Sequence, residues 1–242
     1  MRAACLSRGM LVKLLTSPAP IRKDVFRVNL GKRWFRSSGA GWHPGLYEWF
    51  FESTRMGSKL RTREEELVYG FLGDVLGSDQ SVLEFGPGTG HYTVPLARRC
   101  ARVVAVEVSE TMQEYLRERL SREGLANVET RPGRLQDGVD AAEKFDGVLV
   151  MGPLFYIRDL EEGLTVLKAA LKPGGWTIFT VPMRTPEGWL HALNELVARR
   201  RVYLRSPEET IEMAKKIGLK VEGTGKVGTG RRGLTLIVRA RA

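Results

Sequence analysis

One run of seven residues, Glu84-Phe85-Gly86-Pro87-Gly88-Thr89-Gly90, constrains the fold of this chain more than any other feature. It ends the short apolar stretch Ser81–Phe85 and precedes residues 91–99, which have a helical pattern. Glycine adopts backbone conformations that other residues avoid, so alternate glycines permit a tight turn and let a ligand lie on the main chain. The N-terminus of a following helix points free N–H groups towards that ligand. The run therefore predicts a strand, a turn and a helix arranged around a ligand.

Short apolar runs alternate with longer helical patterns along the rest of the chain. The predicted strands are residues 81–85, 103–106, 128–131, 147–150 and 176–181. The predicted helices are residues 91–99, 110–122 and 160–171, with a short turn near 137–142 and Ser109 as the N-cap of the second helix. Continuous apolar strands separated by helices indicate a parallel sheet covered on both faces.

The C-terminal part has a different pattern. Ser206-Pro207-Glu208-Glu209 combines an N-cap serine, a proline at the first helical position and a glutamate three residues after the serine, which predicts a helix to about Ile217. Two strands are predicted after it, at 220–222 and 234–239. We expect the glycine-rich segment 223–233 between them to be a hairpin loop. Gly228-Thr229-Gly230 superficially resembles a phosphate cradle, but no helix follows it.

The N-terminal part carries the excess of positive charge. Residues 1–63 hold 13 Lys and Arg against 3 Asp and Glu, whereas residues 64–242 hold 25 of each sign. We predict a basic N-terminal arm at 1–41, disordered or accessory, whose composition resembles a transit peptide. Two helices should follow within 46–76: one with Leu46, Trp49, Phe50 and Met56 on one apolar face, and one at 63–76. Because the positive charge is confined to the arm, nucleic acid is a possible partner but not the favoured one.

Length and composition limit the remaining possibilities. A chain of 242 residues with 43% apolar content suits one domain with a short appendage. No apolar run is long enough to span a bilayer, so we expect no membrane partner. Cys5 and Cys100 are too few and too far apart for a disulfide framework or a metal cluster, which favours a reducing cytoplasm and no metal.

Two acidic residues indicate the class of ligand. Glu84 precedes the glycines and suits a ligand with an ammonium group, whereas it would repel a pyrophosphate. The spacing is G-x-G-x-G, and the dinucleotide fingerprint requires G-x-G-x-x-G, which disfavours a nicotinamide-dependent oxidoreductase. Glu107 lies about twenty residues beyond the glycines at the end of the second strand, where an acid accepts hydrogen bonds from ribose hydroxyls. Together these residues predict a nucleoside ligand that also carries an ammonium group.

At this point the sequence resembles the class I S-adenosylmethionine-dependent methyltransferases, in particular the group that acts on small molecules. The resemblance covers roughly residues 46–240. It is carried by the first motif at 82–96, the second at 103–112, the fourth strand and its loop at 145–156, the turn at 171–176 and the helix at 206–219.

The resemblance implies a Rossmann-like α/β fold, a doubly wound and mostly parallel sheet of seven strands in the order 3-2-1-4-5-7-6, with the last strand antiparallel and helices on both faces. The catalytic domain would span 42–242, with lid helices at 46–76 and the sheet core at 81–240. S-adenosyl-L-methionine would be the cofactor. The residues implied to bind it are Glu84, Gly86, Gly88, Gly90, Glu107, Val108, Met112, Arg134, Leu135, Met151 and Gly152.

One position departs from the family pattern. Members often have Gly-Asp after the third strand, and the aspartate accepts a hydrogen bond from the adenine amine. Here the pair is Gly133-Arg134, and arginine has no acceptor. Gln136, Asp137 or a backbone carbonyl would then take this role.

The acceptor of the methyl group is less constrained by the sequence. The donor is already activated, so no catalytic triad is required, and the candidate catalytic residues are His91, Tyr156 and His191. The loop Met151-Gly152-Pro153-Leu154-Phe155-Tyr156 lacks the Asn or Asp with Pro-Pro of enzymes that methylate bases, and it resembles small-molecule methyltransferases. Arg199-Arg200-Arg201 is expected to be a solvated helix face. We therefore expect methyl transfer to a small molecule; the alternative is an RNA or protein methyltransferase that docks through the basic arm.

Overall fold

A computed structural model of the chain describes residues 43–242. Its strands form one sheet in the order β3-β2-β1-β4-β5-β7-β6, which confirms the predicted topology. The strands are β1 Ser81–Phe85, β2 Arg102–Glu107, β3 Val128–Pro132, β4 Phe145–Val150, β5 Leu171–Pro182, β6 Lys220–Val227 and β7 Thr235–Arg241. Strands β1 to β5 are parallel, and β7 is antiparallel to both β5 and β6. The predicted arm at 1–41 lies outside the described residues.

Helices cover both faces of the sheet. They are α1 Pro44–Ser53, α2 Arg55–Val75, α3 Thr93–Ala97, α4 Glu110–Arg122, α5 Leu160–Ala170, α6 Pro186–Val197 and α7 Pro207–Lys216. The core on one face joins the strands to α5 and α7. The core on the other face joins them to α2, α3 and α4. The carboxyl ends of the parallel strands therefore open between two layers of helices, where ligands bind in sheets of this kind.

The helix after the glycine turn is shorter than predicted. We expected it at 91–99, but two successive turns occupy residues 88–92 and α3 begins only at Thr93. No side chain caps its N-terminus within the described residues. Binding at this turn therefore depends on the main chain of the turn and on neighbouring side chains more than on a long helix.

The glycine-rich segment is mostly strand, so the prediction of a hairpin loop at 223–233 was wrong for its first half. Strand β6 continues to Val227, because its glycines permit α2 to pack closely on it. A Cβ atom at Gly225 would lie 2.7 Å from Leu67 Cδ1, and one at Gly223 would lie 3.0 Å from Phe71 Cε1. The glycines that we interpreted as a hairpin loop instead mark the contact between α2 and β6.

The N-terminal helices also differ from expectation. The predicted single apolar face is divided, because α1 ends at Ser53 and Met56 belongs to α2, which begins at Arg55 rather than near residue 63. Leu46, Trp49 and Met56 are largely exposed. Thr54 accepts a hydrogen bond from Gly57 N at 2.9 Å and so caps α2.

Helix α6 was not predicted, and the prediction of a helix face at residues 199–201 was wrong. These arginines follow α6, and Arg199 has a φ of 60°. A residue with a positive φ does not continue a right-handed α-helix, and residues other than glycine adopt this conformation rarely. The sequence did contain a helix signal that we missed, because Thr185-Pro186-Glu187 repeats the cap and proline pattern of α7.

Candidate active site

The glycine turn forms a tight cradle at the carboxyl end of β1. Gly86, Gly88 and Gly90 all have a positive φ, of 69°, 54° and 83°. A Cβ atom at Gly86 would lie 2.4 Å from Pro153 Cγ, and one at Gly90 would lie 2.5 Å from Leu116 Cδ1. A Cβ atom at Gly88 would meet no atom within 4 Å, so this glycine faces open space. Two of the glycines permit close packing behind the turn, and the middle one leaves room for a ligand.

Glu84 lies at the base of this cradle and is almost fully buried. Its Oε2 accepts a hydrogen bond from Thr93 Oγ1 at 2.6 Å. The pKa of Glu84 is raised to about 7, chiefly by burial; the Thr93 hydroxyl opposes this shift, and nearby Glu107 adds to it. A buried carboxyl without a cation partner is costly to ionise, so it would favour a positively charged ligand group.

Glu107 joins the ends of two adjacent strands. It is buried at the end of β2, and its two oxygens accept hydrogen bonds from Gly88 N at 3.1 Å and Ser109 N at 2.9 Å. Burial raises the pKa of Glu107, and the N–H donors of Ser109 and Gly88 oppose this shift. The two acids predicted to bind the ligand therefore lie on either side of the glycine turn.

The predicted adenine end is less regular. Val108 is exposed, Met112 is buried in the first turn of α4, and Arg134 is exposed. Leu135 is buried in the core that contacts α5, so its side chain supports the fold. Asp137 Oδ2 accepts a hydrogen bond from Arg134 N at 2.9 Å, which occupies one oxygen of an expected acceptor.

The loop after β4 supplies the next part of the site. Gly152 has a φ of 111°, and a Cβ atom there would meet nothing within 4 Å. Its N–H donates to Thr180 Oγ1 at 2.9 Å, which ties the loop to β5. Met151 is partly buried against the core that contains α2. The main chain at Gly152 is therefore accessible to a ligand, as it is at Gly88.

A polar cluster links the same loop to α6. Tyr156 donates a hydrogen bond from its hydroxyl to Glu195 Oε2 at 3.1 Å. Glu195 is 2% exposed and forms an ion pair with Arg200. Burial raises the pKa of Tyr156, and the Glu195 carboxylate raises it further. The sequence identified Tyr156, but it did not identify Glu195, and it assigned Arg200 to a solvated surface.

The two histidine candidates lie in different environments. His191 packs edge-on against Phe155, with 5.9 Å between the ring centroids, and its Nε2 is buried with no hydrogen-bond partner among the described residues. Burial lowers the pKa of His191, so its imidazole is neutral near pH 7. His91 Nε2 lies 2.8 Å from Glu65 Oε1 of α2. His191 on α6 therefore lies beside the loop after β4, which carries Tyr156. His91 connects the glycine turn to α2.

Helices α1 and α2 add charged groups next to the site. The Arg61 guanidinium lies 5.4 Å from the ring centroid of Tyr47, and burial raises the pKa of Tyr47 to about 12. Burial and then neighbouring Glu48 raise the pKa of Glu52. Within residues 43–242, no group of three or more His, Cys, Asp or Glu side chains could hold a metal ion.

Comparisons with known proteins agree with this geometry. The family described as "Methyltransferase domain" matches residues 82–175, which run from β1 into β5. The chain is 38% identical over 106 residues to a protein-L-isoaspartate O-methyltransferase of Nitrobacter winogradskyi, covering 44% of this chain and 46% of that protein. It is 35% identical over 104 residues to a magnesium-protoporphyrin O-methyltransferase of Rhodobacter capsulatus, covering 43% and 46%. The chain thus spans about half the length of the curated relatives it matches.

The fold is also similar to solved structures. The N-methyltransferase NodS from Bradyrhizobium japonicum, in complex with S-adenosyl-L-homocysteine, superposes with a TM-score of 0.60 at 18% identity. That match covers 82% of this chain and 97% of NodS.

Proposed function

We propose that this chain transfers a methyl group from S-adenosyl-L-methionine to a small molecule, because residues 82–175 match a methyltransferase domain and the sequence resembles the class I, S-adenosylmethionine-dependent group. One observation carries the proposal: two buried acids, Glu84 and Glu107, flank a glycine turn whose central residue faces open space.

The proposed binding roles follow from the chemistry of each group. Glu84 holds the ammonium of the methionine part, and Gly86 to Gly90 lie against it through their main chain. Glu107 accepts hydrogen bonds from the ribose hydroxyls, in exchange for one or both of its present N–H donors. Val108 and Met112 contact the adenine, together with the main chain of Arg134 and Leu135, and the main chain of Met151 and Gly152 faces the sulfonium.

The residues fit this cofactor for a physical reason. Burial opposes ionisation of both Glu84 and Glu107, and an ammonium or hydroxyl donor would relieve that cost. A pyrophosphate would add negative charge beside two acids and would be repelled. When bound, S-adenosylmethionine supplies a methyl group on a sulfonium, which is an activated donor.

The chain itself supplies alignment, exclusion of water and a place for a proton. Tyr156, held by buried Glu195, and Phe155 position the acceptor at the carboxyl end of β4. His191, neutral near pH 7, accepts a proton at Nε2 when the acceptor is a hydroxyl. His91 keeps the glycine turn against α2 through Glu65, which closes the site on that side.

A substitution at Gly88 tests the site. The Gly88→Val variant should lose at least about a hundredfold in affinity for S-adenosylhomocysteine, because the side chain would occupy the space that the ligand needs. Gly124→Val is the matched control: this glycine also has a positive φ and faces open space, but it lies in the turn after α4. Both variants carry similar backbone strain, about 1–2 kcal/mol, so a similar loss of thermal stability is expected.

Isothermal titration calorimetry provides the measurement. The wild-type protein should bind S-adenosylhomocysteine and not NADH. Binding of NADH alone would overturn the assignment, and wild-type affinity in Gly88→Val would show that the cofactor lies elsewhere.

A protein acceptor is the second candidate, because the matched relatives include protein-L-isoaspartate O-methyltransferases. An RNA acceptor is the third candidate, and the positive charge of residues 1–41 is the observation that favours it. Incubating the full chain with a labelled methyl donor and, separately, a metabolite extract, total RNA or isoaspartyl peptides distinguishes these classes. Label in the metabolite fraction supports the small-molecule proposal, and label only in RNA or peptide contradicts it.

A further inference from the structure

Helix α6 exposes its apolar face to solvent. Trp189, Leu190, Leu193, Leu196 and Val197 are each 58% to 81% exposed. Their spacing of i, i+1, i+4, i+7 and i+8 places them along one side of the helix. A contiguous apolar stripe of this size on a protein surface marks an interaction site more often than scattered apolar residues do.

The orientation of this helix is fixed by polar contacts on its opposite side. Glu195 is buried and binds Tyr156 and Arg200, and His191 packs on Phe155. Gly188 is buried against Met183, where a Cβ atom would lie 1.9 Å from the Met183 carbonyl oxygen. The helix therefore cannot rotate its apolar side inwards without breaking a buried ion pair, so only a partner outside the fold could cover the stripe.

Exposed arginines flank both ends of the stripe. Arg199 and Arg201 follow the C-terminal end of α6. Arg231 and Arg232 lie in the loop after β6, which is joined to the start of α6 by two hydrogen bonds. These run from Thr229 N to Glu187 Oε2 at 3.0 Å and from Thr185 Oγ1 to the Gly233 carbonyl at 2.7 Å. Within the described part of the chain, no salt bridge neutralises any of these four arginines.

We propose that the α6 face, defined by these five apolar residues and four arginines, binds an anionic lipid surface. A helix that lies in the plane of a membrane interface inserts its apolar side between lipids while cationic side chains contact the headgroups. Tryptophan is well suited to that boundary, because its ring is apolar and its N–H is polar.

Charge distinguishes this occupant from two others. In a symmetric dimer the same patch meets itself, which would bring the arginines of both copies together. The N-terminal segment 1–41 carries nine basic residues and one acid, so these arginines would repel it as well. An anionic lipid surface attracts both the α6 face and that segment.

This inference rests on the proposed function and deepens it. The inner side of α6 contributes Glu195 and His191 to the acceptor side of the site, so binding through the outer side would place that region at the lipid boundary. The acceptor class would then be an apolar molecule dissolved in or lying on lipid. This differs from the sequence-based expectation of no membrane partner, which considered spanning segments; no described helix is long and apolar enough to cross a bilayer.

Vesicle flotation with the full chain tests the proposal. The protein should float with vesicles of phosphatidylcholine containing about a third phosphatidylglycerol, and much less with phosphatidylcholine alone. Raising the salt from about 0.1 M to 1 M should weaken the binding, because headgroup attraction is screened.

Paired variants identify the surface responsible. Leu190→Gln with Leu193→Gln, and separately Arg199→Gln with Arg201→Gln, should each lower the partition coefficient by roughly tenfold or more. Lys215→Gln with Lys220→Gln is the control, because both lysines are exposed. Lys220 lies opposite Arg241 in the β6–β7 ladder, at the end of β6 away from α6. The control should float like the wild type.

Three outcomes would overturn the proposal. Flotation of both α6 variants at the wild-type level would assign binding to the N-terminal segment alone, and no flotation of the wild type would exclude a lipid surface. If the wild type did not bind lipid, and light scattering showed that it forms a dimer that the leucine variant does not form, the face would be assigned to a second copy. Calorimetry with S-adenosylhomocysteine on the same samples separates these failures from a failure of the methyltransferase proposal, because cofactor binding does not require α6.

Discussion

At the scale of single residues, the proposed cofactor site depends on Glu84 and Glu107 and on the cost of burying them. Each is nearly excluded from solvent, and the charge on Glu107 raises the pKa of Glu84 further. Within residues 43–242 neither carboxylate forms a salt bridge, and two buried carboxylates without a cation are unfavourable at neutral pH. Sites that bind a ligand tightly often retain such groups, since the ligand supplies the missing charge.

The raised pKa of Glu84 leads to a pH-dependent affinity. With a pKa of about 7, Glu84 is mostly ionised at pH 8 and mostly protonated at pH 6. Only the carboxylate attracts an ammonium, so affinity for S-adenosylhomocysteine should fall roughly tenfold as the pH is lowered from 8 to 6. Calorimetry at several pH values measures this change.

The Glu84→Gln variant is the control for this titration. It should bind more weakly at pH 8 and show little change between pH 8 and 6, because glutamine does not ionise in this range. An unchanged slope in the variant would assign the titration to another group.

At the scale of elements, α6 is held by a buried ion pair rather than by apolar packing. Glu195 connects the helix to Arg200 in the following segment and to Tyr156 in the loop after β4. Removing one partner of a buried pair leaves the other charge uncompensated, which is more costly than losing an exposed pair.

The Glu195→Gln variant should therefore be destabilised by about 2–4 kcal/mol, measured by urea denaturation. Glu161→Gln removes a much more exposed pair with Lys216 and should cost less than about 0.5 kcal/mol. Equal losses in the two variants would show that the α6 anchor contributes little.

At the scale of the whole molecule, the sheet order places the ends of β1, β2 and β4 side by side. Residues as far apart in sequence as Glu84 and Tyr156, more than seventy positions, therefore lie at the carboxyl ends of neighbouring strands. The predicted basic arm at 1–41 lies outside the described residues, and residues 64–242 carry equal numbers of positive and negative side chains.

Deleting residues 1–41 should consequently leave the affinity for S-adenosylhomocysteine within about twofold, since no residue assigned to the cofactor lies there. Methyl transfer to a small acceptor, assayed without lipid, should also be retained. Collapse of that activity with intact cofactor binding would favour the RNA or protein acceptor.

Local patterns in the sequence by themselves predicted a parallel sheet, the glycine turn and the two acids, and the resemblance to a family implied the strand order that the structure shows. Apolar runs between helical patterns predict buried strands, three spaced glycines predict a turn, and the charge of Glu84 disfavours a pyrophosphate. The motif order along the chain was then enough to establish the family resemblance.

Only the tertiary structure decided which residues form the proposed acceptor side and which surface of α6 is exposed. Residue 195 has no local signal that distinguishes a buried anchor from a solvated glutamate; its burial depends on Tyr156, 39 positions away. The stripe from Trp189 to Val197 is indistinguishable in sequence from an ordinary core-facing helix. Its exposure follows from the ion pair on the opposite side of α6. Turning the apolar residues inwards would break that buried pair and leave a charge uncompensated.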